Sequence, residues 1–68
     1  MRAFYTGNCN FTADLCLMTN GHSTRLTVRS PEGTVLHRSY HPSWNDAIET
    51  LKQCGKGWVN DLTGTALE

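Results

Sequence analysis

The sequence lacks every feature that would tie a chain of this size to a membrane, a metal or a redox couple. Among its 68 residues no apolar run is long enough to span a bilayer and there is no signal peptide, which points to the cytoplasm. Net formal charge is zero, so no global field draws the chain to nucleic acid or lipid. Cysteine is sparse. Cys9, Cys16 and Cys54 are odd in number and contain no close CxxC pair, which excludes a disulfide framework, a zinc ribbon and a CxxC redox site. They read as free thiols, although a cation beside Cys16 would lower its pKa. No catalytic signature, cofactor motif, internal repeat or low-complexity segment is present, and the expectation is a non-enzymatic protein without cofactor or metal.

What the sequence does contain is punctuation. Asn20-Gly21 suits the two-residue type I′ turn of a β-hairpin. The register that follows sets Thr19 opposite His22, Leu17 opposite Thr24, Leu15 opposite Leu26 and Ala13 opposite Val28 on one face. Cys16, Asp14 and Thr12 then oppose Arg25, Thr27 and Arg29 on the other. A slip of one residue would mix the two sets. Ser30-Pro31-Glu32-Gly33 predicts a second, three-residue hairpin loop, with Gly33 in the left-handed conformation. In the register this implies, Leu36 and Tyr40 join Val28 and Thr24 inside. Val35, His37 and Ser39 join the arginines outside, and Arg38 falls on the inner face with its stem packed and its head in water.

Ser43 and Asp46 form a capping-box pattern ahead of Trp44, Ala47, Ile48, Leu51 and Cys54, which recur at helical spacing. Gly55 and Gly57 provide the stop. A helix over 44–54 is predicted, with Cys54 as its last core position. Trp58 to Leu62 suits a last strand or an extended edge segment. Ala3-Phe4-Tyr5 suits a further strand, but Gly7, Asn8 and Asn10 interrupt it. The expected architecture is α+β, a three- or four-stranded antiparallel sheet with one helix packed on one face, in the order β-β-β-α-β. Residues 1–66 form one small domain. Leu67-Glu68 resembles an expression-vector junction and is set aside from the fold.

His37 and His41 have an HxxxH spacing, but on a strand four residues span about 13 Å, too far for two nitrogens on one ion. Cys16, His37 and Asp14 likewise fail to converge as nucleophile, base and acid. The remaining candidate is the outer sheet face: Arg25, Thr27, Arg29, His37 and Ser39, with His22 at the hairpin tip. Charge is uneven in its favour, since residues 20–42 carry three arginines and three histidines against Glu32 alone. Such a face reads a nucleic-acid groove or simply stays soluble. An exposed Trp58, Phe4 or Phe11 would instead anchor a protein partner. The leading expectation is a binding or accessory module for a protein partner, or a weak homodimer through an edge strand or a patch containing Trp58. Nucleic-acid binding is the alternative, and a membrane is not a partner.

The run from Arg25 to Leu36, followed by Ser39-Tyr40, Ser43 and Ala47-Ile48, resembles the strand, glycine turn, strand and helix of small YegP-like domains. It is also similar to the three-stranded sheet plus helix of the DNA-binding domains of ethylene-response factors and integrase arm-binding modules. The first resemblance implies an architecture and no catalytic residues. The second implies a DNA-contacting role for Arg25 and Arg29.

Overall fold

The computed structural model describes residues 1–19 and 23–67. The chain runs through β1 (Arg2–Thr6), a 3-10 turn (Asn8–Asn10), β2 (Thr12–Leu17), β3 (Thr24–Arg29), β4 (Val35–His41), α1 (Trp44–Gln53) and β5 (Val59–Asn60). The strands form one antiparallel sheet in the order β4-β3-β2-β1-β5. The α+β class and the single helix on one face are as the sequence predicts, but the sheet has five strands. Ala3-Phe4-Tyr5 is a genuine strand because Gly7, Asn8 and Asn10 form the turn that ends it. Cys9 and Asn10 there take φ of 61° and 66°, and the Gly7 amide donates to the Phe11 carbonyl at 2.8 Å.

The β2–β3 register is the one predicted, from Leu17 opposite Thr24 to Thr12 opposite Arg29. The Asn20-Gly21 turn and His22 lie outside the described residues. The second turn also forms as expected: the Gly33 amide donates to Ser30, φ at Gly33 is 93°, and Ser30 pairs with Thr34. Beyond it the expected register fails. Arg29 opposes Val35, but Val28 opposes His37, so a bulge at Leu36 shifts every later pair by one. Ser39 consequently stands opposite Leu26 and His41 opposite Thr24 on the helix side, while Arg38 and Tyr40 stand opposite Thr27 and Arg25 on the other. Without the bulge Arg38 would oppose the fully buried Leu26. The bulge keeps the Arg38 guanidinium exposed on the open face, and it leaves Leu36 and Tyr40 exposed as well.

α1 lies against β3, β2 and β4. The core consists of Ala3, Tyr5, Ala13, Leu15, Leu26, Val28, Ala47, Leu51 and Trp58. Phe11, Trp44, Ile48 and Leu67 pack around it. Two expectations are corrected here. Trp58 is 1% exposed and belongs to the core instead of offering a surface anchor, because β5 pairs with β1 and draws the preceding residue under the sheet. Cys54 is exposed at the helix C-cap, one residue past the last helical position. Leu67, set aside from the sequence, takes part in the fold: its amide donates to the Trp58 carbonyl at 2.8 Å.

The helix begins as its cap dictates. Ser43 Oγ accepts the Asp46 amide at 3.1 Å. The Asp46 carboxylate, instead of completing the capping box, turns to His41. Ser43→Ala is therefore expected to lower stability by about 1 kcal/mol. Thermal melts of the two proteins check it, and coincident curves would remove the cap from the account.

Candidate functional site

No described element covers the face of the sheet opposite α1. Alternation along the strands and the observed pairing place three rows of side chains on it. Phe4, Asp14, Thr27 and Arg38 form the central row, and Arg2, Cys16, Arg25 and Tyr40 the second. The third runs from Val59 through Thr6, Thr12 and Arg29 to Val35. All four arginines of the chain thus lie on one face. Asp14 is the one carboxylate within the five strands. The two exposed aromatic rings of the face are Phe4, 43% exposed, and Tyr40, 61% exposed.

The four guanidinium groups are not equivalent. Arg2 donates to both oxygens of Asp14, at 3.3 Å from Nε and 3.0 Å from Nη2. This hydrogen bonding, and then the carboxylate charge, pushes the Arg2 pKa above its ordinary value. The Arg2 guanidinium also lies 5.1 Å from the centre of the Phe4 ring, within cation–π range. Arg38 Nε donates to Thr27 Oγ1 at 3.4 Å. Arg25, Arg29 and Arg38 have no carboxylate partner among the described residues. The result is a buried pair, Asp14 and Thr27, contacted by Arg2 and Arg38, with Arg25 and Arg29 in the flanking rows.

Of the residues singled out from the sequence, Arg25 and Arg29 occupy this face as expected. Thr27 lies on it but is buried, so it supports Arg38 instead of offering a contact. His37 and Ser39 do not belong to it, since the bulge carries both to the helix side. Sequence reasoning did not place Arg2 or Phe4 on this face, naming Phe4 only as an exposed anchor for a protein partner, and it set Arg38 and Tyr40 on the helix side. The alternation of Arg2 and Phe4 with Ala3 and Tyr5 was the available signal for the first two, and it acquires meaning only once β1 is known to be paired. Cys16 is half-buried between Arg2 and Arg25, and its Sγ donates to the Leu17 carbonyl at 3.7 Å.

A second cluster lies on the helix-facing side of β4. His37 Nε2 is 2.9 Å from Ser39 Oγ, and Ser39 Oγ is 2.6 Å from His41 Nε2. His41 Nδ1 is in turn 2.9 Å from Asp46 Oδ2 at the start of α1. The two imidazoles, judged from the strand spacing to stand apart, lean together over the serine between them. His37 is separated by the sheet from Cys16 and Asp14, which remain on the other face. Among the described residues no group of three or more metal-ligating side chains is gathered, and no helix is long and apolar enough to cross a membrane.

The chain matches no family model, no curated protein and no solved structure.

Proposed function

We propose that the chain is a cytoplasmic nucleic-acid-binding module that uses the open face of its sheet to hold single strands. One observation carries the reading: four arginines and two exposed aromatic rings share an uncovered surface whose strands contain a single carboxylate, already paired. Arginines supply phosphate contacts independent of sequence. Phe4 and Tyr40, at opposite sides of the face, are platforms on which unstacked bases can lie, each worth about 1–3 kcal/mol. A duplex would present its phosphates but not its base faces, which favours single strands as ligand. Fluorescence anisotropy with labelled mixed-sequence oligonucleotides at low salt tests the reading. Single-stranded DNA or RNA should bind more tightly than duplex, and no binding under these conditions, where screening is weakest, would exclude it.

A second reading, a weak homodimer, rests on the β4 edge. The edge at β5 is already engaged, since Asn60 donates to the Thr65 carbonyl and Val59 bridges to Ala66. β4 pairs only with β3 among the described strands, and Val35, Leu36 and Tyr40 are exposed along it. Joining two β4 edges would pair these backbones and extend the arginine-bearing surface. Sedimentation velocity should show mass rising with concentration in the parent and less so in Leu36→Lys. A monomer across the whole series rules out this arrangement.

A further inference from the structure

We propose that Ser39 is a nucleophile, activated by His41 and Asp46, which takes acyl groups from small activated esters reaching the helix-facing side of β4. This is distinct from nucleic-acid binding and uses the opposite face of the sheet. The case begins with the strand. Residues 37, 39 and 41 lie on one face at steps of about 6.6 Å, so the serine has an imidazole on either side. The first turn of α1 then delivers Asp46 to the far nitrogen of His41. Three heavy-atom separations of 2.9, 2.6 and 2.9 Å join the four side chains into one chain of hydrogen bonds.

The carboxylate fixes the direction of that chain. A proton on His41 Nδ1 lets that nitrogen donate to the Asp46 carboxylate. In the tautomer that carries its one proton there, Nε2 accepts from the Ser39 hydroxyl. With its one hydrogen committed, Ser39 Oγ can only accept from His37, whose Nε2 must be the protonated nitrogen. Ser39, His41 and Asp46 thus adopt the arrangement in which a base takes the hydroxyl proton while a carboxylate holds the base in the correct tautomer. His37 is a positioning residue that fixes the serine from its other side. His41 is shielded, its side chain 11% exposed, which strengthens its pairing with Asp46, itself half exposed. Ser39 is half-buried.

In the acyl-transfer step Ser39 Oγ forms a bond to the ester carbonyl carbon and its proton passes to His41 Nε2. The tetrahedral oxyanion collapses, the bond from carbon to the leaving oxygen breaks, and the departing alkoxide or phenoxide takes the proton from His41. Water, deprotonated by the same nitrogen, then releases the carboxylic acid and restores the serine.

Diisopropyl fluorophosphate is the probe, because it stops at the first step: the Ser39 oxygen bonds to phosphorus, fluoride leaves and the proton departs through His41. Treatment of the purified chain followed by peptide mass spectrometry should find one adduct, at Ser39, and none in Ser39→Ala. His41→Gln should slow its formation by about 10²-fold or more. Asp46→Asn should also slow it, while retaining the backbone amide that Ser43 caps, so this variant carries the test if His41→Gln does not fold. Circular dichroism melts verify the fold of each. No adduct on the wild type, an adduct elsewhere, or equal rates in wild type and a folded Asp46→Asn would each overturn the proposal. The oligonucleotide experiments probe other residues, so either result stands without the other.

Discussion

Trp58→Ala is expected to remove most of the stability of the fold and to leave a substantial unfolded population at ambient temperature. Trp58 is the largest fully buried side chain and three parts of the chain converge on it. Its indole Nε1 donates to the Leu51 carbonyl at 2.9 Å in the last part of α1. Its own carbonyl accepts the Leu67 amide. The loop after β1 lies so close that a methyl group on Gly7 would stand 2.9 Å from ring atoms Cε3 and Cζ3. Removing a buried tryptophan side chain costs about 3–5 kcal/mol. Domains of this size sit towards the bottom of the usual range of about 5–15 kcal/mol, so the loss approaches the whole. Trp58→Phe keeps most of the apolar contact and loses the indole hydrogen bond, which contributes about 0.5–1.5 kcal/mol. It should remain folded with a lower melting temperature. Chemical denaturation of the three proteins provides the ranking, and a Trp58→Ala midpoint near that of the parent would mean that the ring does not hold the core together.

The same residue shows where a local pattern stops being informative. Trp58 stands between Gly57 and Val59 with no apolar periodicity around it, and nothing within ten residues indicates which side of the chain it faces. Its burial follows from Tyr5 pairing with Asn60, a contact between the two ends of the sequence. The β2–β3 ribbon was legible because its two faces differ sharply in polarity and a slip would bury arginine. β4 was not. In Val35-Leu36-His37-Arg38-Ser39-Tyr40-His41 both alternate sets mix apolar and polar residues, so either register leaves something misplaced. With the bulge, Arg38 stands opposite Thr27 on the open face instead of opposite Leu26 on the helix side, an outcome that the alternation within β4 does not indicate. That single bulge decides both candidate sites. It moves Arg38 and Tyr40 onto the open face, and it brings Ser39 and His41 to Asp46. Arg25 and Arg29 were readable from their own strand, while Arg2 and Phe4 depended on β1 being held between β2 and β5. The helix, by contrast, is written entirely in local signals, from the Ser43 cap to the glycine at position 55, whose φ is 67°.

Replacing both Arg25 and Arg29 with serine should abolish detectable single-strand binding at moderate salt while leaving the fold intact. Neither side chain enters the core and neither has a carboxylate partner among the described residues, so their charge is free to meet phosphate. Each phosphate contact on a single strand contributes about 0.7 to the slope of log affinity against log salt, and the double variant should flatten that slope by roughly one and a half units. Arg2→Ser is the informative contrast. Arg2 is already neutralised by Asp14, whose side chain is 12% exposed. Its loss should change the salt slope less and lower the melting temperature more, because it leaves that shielded carboxylate unpaired. Tyr40→Ala should weaken binding by about 1–3 kcal/mol with the salt slope unchanged, as stacking exchanges no counterions. Charge and stacking are thereby separated by which variants alter the slope and which alter affinity alone. A double arginine variant that binds with the parent's affinity and slope would place nucleic acid, if it binds at all, on some other surface than the open face of the sheet.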